Sequence, residues 1–277
     1  MPELPEVETV VREIKSLHGR TIRRLELVRA DILREGRDLV SRSRRLKVSS
    51  IQRRGKRIML ALARGDSSLW LIVHLGMSGR LTLEKPNSPR ELHTHAIVHF
   101  DDHRDELRFR DPRRFGGLWL FKELPTEPVK FLGPLGPDAL SITASTLRPV
   151  LSRRRQIKAL LMDQTAIGGL GNIYVDESLH RAGIHPLAIA ARLKPEQVTR
   201  LATSIRQVLQ DALRGGGSSL RDYRRTDGSE GEFQNEHRVY GRTGEPCSTC
   251  KAPIKRIVAA GRSTHFCPRC QKMQHRS

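Results

Sequence analysis

The sequence predicts an α+β chain of several domains: a β-rich N-terminal region behind one leading helix, a helical middle region and a small cysteine module. Three observations predict this order. Short apolar or alternating segments crowd the first 130 residues, helical spacing follows a Pro/Gly-rich stretch, and all four cysteines come after residue 246. A chain of 277 residues has room for two or three such domains.

The first 130 residues are expected to form one helix followed by strands. The helix is predicted from Glu6 to Leu17, because Val7, Val10 and Ile14 recur at helical spacing and Gly19 marks a stop. Short runs of apolar or alternating residues, many of them bounded by turn residues, then predict strands. These runs lie around residues 58–62, 69–74, 81–83, 96–100, 107–109 and 118–121.

Helices are expected to dominate from about residue 140 to residue 214. A Pro/Gly-rich stretch, residues 132–137, marks a linker before them. Apolar faces predict helices around 157–161, 173–181 and 195–213. The glycine run 215–217 ends the pattern, and the polar stretch to about residue 236 is expected to be a mobile loop. The predicted domains are residues 1–131, 138–225 and 238–272.

The excess of positive charge points to a polyanionic partner. Fifty Lys and Arg residues against 30 Asp and Glu give a formal net charge of +20. In a compact fold these positive charges repel one another, and a bound nucleic acid would offset that repulsion. A membrane-surface protein would need a basic amphipathic helix with aromatic residues on its apolar face, yet only 4% of residues are aromatic.

Nothing in the sequence predicts a membrane span or a secretion signal. Apolar runs such as residues 69–73 are far too short to cross a bilayer. Glu3, Glu6 and Glu8 stand where a secretory signal would carry basic residues. The protein is therefore expected in the cytoplasm.

The four cysteines are expected to hold one structural zinc ion. Cys247 and Cys250 form one C-x-x-C pair, and Cys267 and Cys270 form a second. Two such pairs complete a tetrahedral site and leave no open position for a catalytic water. Two disulfides, the alternative, are disfavoured in a reducing compartment. The module from Cys247 onward has seven Lys or Arg and no acidic residue, which suggests a phosphate contact.

The N-terminus offers a possible nucleophile. Removal of Met1 would leave Pro2 with a free secondary amine, and an α-amino group has a pKa near 8, so part of it is neutral at physiological pH. Such an amine can attack a sugar carbon and form an iminium ion, while the adjacent Glu3 moves protons. On these residues alone, an ordinary exposed terminus is the simpler interpretation.

Several sequence blocks resemble bacterial formamidopyrimidine-DNA glycosylases. They run in the family's order along nearly the whole chain: residues 1–9 (MPELPEVET), 74–79 (HLGMSG), 111–116 (DPRRFG), 169–174 (GLGNIY), 239–242 (VYGR) and the cysteine module. The resemblance implies an N-terminal β-sandwich, a helix–two-turns–helix domain and a zinc-finger β-hairpin. It also implies a monomer that acts in the bacterial cytoplasm, with the nucleoid, on double-stranded DNA containing oxidised bases or abasic sites.

The resemblance assigns catalytic roles to four residues. It makes Pro2 the Schiff-base nucleophile at the sugar carbon C1′ and Glu3 the neighbouring acid and base. Lys56 matches the lysine that assists the first elimination step. Arg262 matches the finger arginine that contacts phosphate at the lesion and is credited with the second elimination.

The resemblance also assigns contacts with DNA. Met77, Arg113 and Phe115 match the set that enters the duplex, and an apolar wedge that unstacks a base step suits that role. The positions that match phosphate contacts are His93, Arg153 and Asn172, to which Arg114 is added. The sequence departs from many members at Arg221, where they carry a lysine, and the resemblance places the segment that follows it in the loop that covers the extruded base.

The implied function is that of a bifunctional DNA glycosylase and abasic-site lyase for oxidised purines. One alternative is the related endonuclease VIII type, which prefers oxidised pyrimidines; Leu4 favours the purine enzyme, since the other type commonly has glycine there. A second alternative is a DNA-binding protein without catalysis, which would leave Pro2, Glu3, Lys56 and Arg262 without a reason to occur together.

Overall fold

A computed structural model describes residues 2–124, 133–219 and 223–273. The chain divides into two compact units. The N-terminal unit contains the described residues up to 124 together with 215–219 and 223–232, and the C-terminal unit contains 133–214 and 233–273. Met1, Leu132 of the predicted linker and Arg221 lie outside the described residues.

The N-terminal unit begins with helix α1 (Leu4–Glu13), which continues as a 3₁₀ turn to Leu17. Nine strands follow: β1 (Ile22–Leu27), β2 (Leu33–Glu35), β3 (Lys47–Arg54), β4 (Arg57–Arg64), β5 (Ser67–His74), β6 (Arg80–Glu84), β7 (Thr94–Phe100), β8 (Glu106–Arg110) and β9 (Gly117–Phe121). They form a four-stranded sheet, in the order β1-β7-β8-β6, and a five-stranded sheet, in the order β2-β9-β5-β4-β3. Only β2 and β9 run parallel among these neighbours.

The two sheets and α1 share one hydrophobic core, which confirms the expected β-sandwich with a leading helix. Val7 and Val10 of α1, Val98 of the four-stranded sheet, and Leu60 and Leu118 of the five-stranded sheet are all buried in it. Alternating apolar residues turn one face of each strand towards this core. The core therefore fixes the ends of the strands, where the loops described below begin.

Two details of the N-terminal unit differ from the sequence prediction. The α-helix ends at Glu13 rather than Leu17, although the 3₁₀ turn keeps Ile14 and Leu17 buried. Strands β1, β2 and β3 were not among the predicted segments. In β3 the apolar alternation is broken by polar and basic residues, and pairing with β4 supplies its order.

The segment after residue 214 returns to the N-terminal unit and packs on α1. Glu13 accepts hydrogen bonds from the Arg225 side chain (2.6 Å) and from the Thr226 backbone (2.8 Å). The Tyr223 ring is buried in the core of this unit, and burial with the nearby carboxylates raises the pKa of its hydroxyl far above the usual value. The described residues 223–226 are thus anchored, although the sequence predicted a mobile loop there.

The C-terminal unit is helical before its cysteine module. It contains α2 (Ala144–Leu151), α3 (Ile157–Met162), α4 (Asn172–Ala182), α5 (Pro195–Arg214) and a hairpin of β10 (Lys255–Ala259) and β11 (Arg262–Phe266). The three predicted helices and the zinc-finger hairpin are confirmed. Across the described residues, no helix is both long and apolar enough to cross a membrane.

Two neighbouring acids of α4 hold the hairpin and the chain before it. Asp176 accepts hydrogen bonds from the Lys158 ammonium (2.7 Å) and from the His265 backbone N–H of β11 (2.8 Å). Glu177 accepts three consecutive backbone N–H groups, those of residues 238–240, at 2.8–3.0 Å. Lys158 and Asp176 are fully buried, so each charge depends on the other.

We expect Lys158→Met to lower the free energy of unfolding by about 3–5 kcal/mol, because it leaves the Asp176 carboxylate buried without its cation. Urea unfolding followed by circular dichroism measures the loss. Lys194→Met, which removes the same charge from an exposed position, is the control. A loss below about 1 kcal/mol for Lys158→Met would mean that the pair does not stabilise the unit.

Candidate functional site

Pro2 and Glu3 are buried at the start of α1, where one carboxylate orders the backbone. Glu6 accepts the Glu3 backbone N–H at 2.7 Å, which satisfies a donor that the helix itself leaves unpaired. Its second oxygen accepts the Ser218 backbone N–H at 2.8 Å. Glu6 therefore joins the turn that carries Pro2 and Glu3 to the segment 215–219.

Gly217 makes this junction possible. A Cβ atom at this position would lie 2.8 Å from the Glu6 carboxylate oxygen, and its φ of +86° is a conformation that L side chains rarely adopt. A larger residue would push the chain away from Glu6. The glycine run that follows α5 thus permits close contact with the N-terminal end of α1.

Lys56 lies in the tight turn between β3 and β4, and α1 holds that turn. Glu8 of α1 accepts a hydrogen bond from Arg53 at 2.9 Å, and Arg53 also donates to the Gly55 carbonyl at 3.0 Å. The Arg53 side chain is only 7% exposed, so this ion pair is shielded from solvent and fixes its geometry. The same helix therefore carries Pro2 and Glu3 and positions the turn of Lys56.

His74, the last residue of β5, lies near the same turn. Burial, reinforced by the positive charges of Lys56 and Arg57, lowers its pKa to about 4. The imidazole is neutral at physiological pH, and its Nδ1 accepts the Gly76 backbone N–H at 3.2 Å. It therefore adds no charge next to Lys56 and orders the loop that follows β5.

Two loops meet beside His74, and Asp111 connects them. The first is residues 75–79, and the second is residues 111–116. The fully buried Asp111 accepts hydrogen bonds from the Ser78 hydroxyl (2.6 Å) and from the Gly116 backbone (2.8 Å). A Cβ atom on Gly76 would lie 2.3 Å from the Gly116 nitrogen, so the two backbones are in direct contact.

This pair of loops carries the residues expected to enter the duplex. Met77 is half-buried in the first loop, while Arg113 and Phe115 are exposed in the second. Phe115 is 58% exposed, which is unusual for a large apolar side chain, and the Arg113 guanidinium lies 4.7 Å from its ring centre. The structure brings the three residues onto adjoining loops.

Two further expected phosphate contacts lie on this unit. His93 is exposed just before β7 and has a φ of +70°. Its carbonyl accepts the Asp111 N–H at 3.1 Å, which ties it to the second loop. Arg114 is half exposed and forms an ion pair with Asp31 at 3.3 Å. That pair must loosen or be shared if Arg114 is to bind a phosphate.

The C-terminal unit holds the remaining expected residues. Asn172 begins α4, and its side-chain amide donates to the Ser263 carbonyl at 2.9 Å. Arg262, the residue before Ser263, is exposed at the tip of the β10–β11 hairpin. Asn172 is therefore next to the hairpin tip, whereas Arg153 is exposed after α2.

The four cysteines form the expected metal site. Their sulfur atoms all lie within 4.8 Å of one another, with Cys250 and Cys267 separated by 3.3 Å and Cys247 and Cys270 by 3.9 Å. Zinc–sulfur bonds of about 2.3 Å in a tetrahedron require sulfur separations of roughly 3.8 Å. The thiolate set therefore fits one zinc ion, which the protein would enclose with four ligands.

Sequence reasoning missed two residues that organise the site. Glu6 and Asp111 are buried acids whose partners are backbone N–H groups and a hydroxyl rather than substrate. The spacing of Glu3 and Glu6 matches a capping box, a signal that could have identified Glu6. Nothing local identifies Asp111, because its two partners lie on different loops.

The chain matches three family descriptions in sequence order. Residues 1–118 match the formamidopyrimidine-DNA glycosylase N-terminal domain, and residues 135–224 match the H2TH domain of the same enzymes. Residues 244–272 match the zinc finger found in FPG and IleRS. The three matches cover most of the chain.

Curated relatives and solved structures agree with these matches. Formamidopyrimidine-DNA glycosylases of Solibacter usitatus and Geobacillus kaustophilus are 46% and 42% identical, over 98% of this chain and 100% of theirs. Two Lactococcus lactis Fpg structures, one in complex with Fapy-dG DNA and one with abasic-site DNA, match with TM-scores of 0.88 and 0.87. Each is 38% identical over 98% of this chain and 100% of that chain. The protein belongs to the formamidopyrimidine-DNA glycosylase family.

Proposed function

We propose that this protein is a bifunctional DNA glycosylase and abasic-site lyase that removes oxidised purines from duplex DNA. The observation that carries the proposal is the arrangement around α1. Pro2 and Glu3 directly precede this helix, Glu8 and Arg53 hold the turn of Lys56 against it, and Glu6 holds the segment 215–219. An amine, a carboxyl group and an ammonium group are therefore organised by one helix.

The chemistry begins with the amine. Once Met1 is removed, the Pro2 nitrogen can attack C1′ of the damaged nucleotide, and the base leaves with the electron pair of the glycosidic bond and takes up a proton. The Pro2 nitrogen gives up its proton, and the C1′–O4′ bond then breaks, with O4′ taking up a proton, to leave an iminium ion that withdraws electrons from the opened sugar. Glu3 moves protons to and from the opened sugar.

Two eliminations complete the proposed reaction. Loss of a proton from C2′ expels the 3′ phosphate, a step that Lys56 assists, and a second elimination expels the 5′ phosphate near Arg262. The products are a one-nucleoside gap with phosphate ends and a sugar fragment released from Pro2 by water. Zinc would take no part, because four cysteines fill its coordination sphere.

The exposed loop residues suit the opening of the duplex. An extruded base leaves a gap, and filling it with side chains offsets the few kcal/mol lost on unstacking. Phe115 and Met77 provide apolar atoms, and Arg113 provides donors for the orphaned base. Arg262, Asn172, Arg153, His93 and Arg114 are the proposed phosphate contacts. Asn172 keeps a second amide hydrogen for this purpose while the first binds Ser263.

The preference for purines is supported by relatives rather than by a side chain. The names of the curated relatives specify formamidopyrimidine, and a neighbouring structure at 39% identity and TM-score 0.86 is described as MutM with carbocyclic 8-oxo-G DNA. The rival endonuclease VIII type shares the proposed terminal amine and eliminations. Leu4 remains the sequence feature that favours the purine enzyme.

Pro2→Gly is expected to lose or sharply weaken the covalent adduct with abasic DNA that borohydride traps, because a primary amine replaces the ring amine in an altered turn. Gel electrophoresis of the trapped complex measures the adduct. Pro195→Gly, at the exposed start of α5, is the control. An undiminished adduct in Pro2→Gly would contradict the proposed nucleophile, and an intact abasic duplex with the unaltered protein would favour a non-catalytic binder.

Glu6→Gln is expected to slow adduct formation by about 10- to 100-fold. The amide NH₂ group would replace one carboxylate oxygen and face a backbone N–H donor, so that one of two charge-assisted hydrogen bonds is lost at a cost of about 1.5–3 kcal/mol. Binding of an uncleavable abasic-analogue duplex should change less than about threefold, since Glu6 makes no proposed DNA contact. The exposed Glu196→Gln removes the same charge and should leave both values unchanged. Equal losses in adduct formation and binding would mean that Glu6 is merely structural.

A panel of lesion duplexes is expected to separate the two enzyme types. Cleavage of 8-oxoguanine paired with cytosine should exceed cleavage of thymine glycol paired with adenine by at least tenfold at equal enzyme concentration. Denaturing gels measure the single-turnover rates, and an undamaged duplex is the control. The reverse order would assign the protein to the endonuclease VIII type.

A further inference from the structure

A basic cavity lies at the end of the five-stranded sheet opposite the candidate catalytic residues. Its volume is about 690 Å³. Among the described residues, five cationic side chains line it, together with two acids, two serines and two leucines; the five are Arg42, Arg44, Arg45, Arg64 and Lys122. None of these residues belongs to the site proposed above.

The strand register shows how far the cavity lies from the turn that contains Lys56. Strands β4 and β5 pair antiparallel, so that Arg64 is opposite Ser67 at one end and Arg57 is opposite His74 at the other. Each strand has eight residues, and a rise of about 3.3 Å per residue gives a separation of roughly 23 Å. A DNA strand bound at Lys56 therefore leaves this cavity open to a different ligand.

The cations of this cavity differ from other arginines of the unit in their pairing. Arg20, Arg53 and Arg108 each form an ion pair with an acid. Among the described residues, none of the five cations that line the cavity has an acidic oxygen within 4.0 Å. With five positive charges and only two negative ones in the lining, the cationic side chains repel one another. A bound anion would reduce that repulsion.

Local backbone structure holds three of these arginines in place. Residues 41–43 form a 3₁₀ turn in which Ser43 donates its hydroxyl to the Val40 carbonyl at 2.7 Å. Arg45 has a φ of +66°, and its N–H donates to the Ile22 carbonyl at 2.8 Å. A non-glycine residue in this conformation carries strain, so the core contact to β1 maintains it.

The composition of the cavity indicates the ligand chemistry. Four of its five cations are arginines, whose planar fork binds phosphate in a bidentate manner. None of the described residues that line the cavity is aromatic, so these residues offer no platform on which a base could stack. Its volume suits one or two nucleotides and is too small for a duplex about 20 Å wide. We propose that this cavity binds the phosphate backbone of a second, single-stranded nucleic-acid segment without regard to sequence.

The proposal can be tested by the anisotropy of a fluorescent 12-nucleotide thymidine strand. The full chain is first saturated with an uncleavable abasic-analogue duplex, which occupies the proposed catalytic site. The cavity variant combines Arg42→Ala, Arg45→Ala and Arg64→Ala, and the control combines Lys15→Ala, Arg23→Ala and Arg104→Ala. The control residues are exposed on the same unit and outside the cavity, so both variants lose three charges.

The cavity variant is expected to bind the strand at least tenfold more weakly than the unaltered protein, while the control variant stays within threefold. Each phosphate contact in a single strand contributes about −0.7 to the slope of log K against log salt, so the slope should become less steep by about 2. Tripolyphosphate should compete for the cavity of the unaltered protein. Equal losses in both variants, or retained binding by the cavity variant, would overturn the proposal.

Hydrogen exchange of the unaltered protein gives a second readout that does not depend on the variants folding. Adding the thymidine strand should protect the backbone amides of residues 41–46 and 64–69. Protection confined to residues 75–79 and 111–116 would mean that the strand binds only the catalytic end, and would contradict a second site. Cleavage of lesion duplexes, measured in parallel, should be within twofold of the original for the cavity variant.

Discussion

A buried carboxylate that accepts backbone N–H groups is the interaction on which the placement of the candidate site depends. Glu6 accepts one N–H from the N-terminal turn and one from segment 215–219, and Asp111 joins the loops at 75–79 and 111–116. A carboxylate taken out of water is costly unless several donors surround it. These hydrogen bonds fix the donor segments as well as the acids. The side chains on those segments are therefore also held in place.

The C-terminal unit uses the same device at its cysteine module. Asp176 and Glu177, adjacent on α4, bind β11 and residues 238–240 through backbone N–H groups. A neutral side chain would make weaker bonds, because hydrogen bonds to charged groups are stronger than those between neutral groups. In a chain with a net charge of +20, these few acids accept backbone hydrogen bonds inside the fold.

Patterns confined to neighbouring residues were predicted, and those that depend on distant partners were not. The cysteine spacing predicted the metal cluster, and helical spacing predicted α4 and α5, because both signals are local. Strand β3 was missed since its order comes from pairing with β4. The motif that contains Asp111 did not predict its role, because that role depends on Ser78, 33 positions away. The anchoring of Tyr223 on α1 likewise depends on a contact across most of the chain.

The backbone contact between Gly76 and Gly116 couples two loops that are far apart in the sequence, so that a displacement of one loop also displaces the other. No atom can be added at Gly76 without displacing the backbone that carries Phe115. An insertion in either loop would therefore displace both Met77 on the first loop and Arg113 and Phe115 on the second. A change in the length of one loop is therefore expected to disturb the other, and only side-chain substitutions could alter Met77 or Phe115 separately.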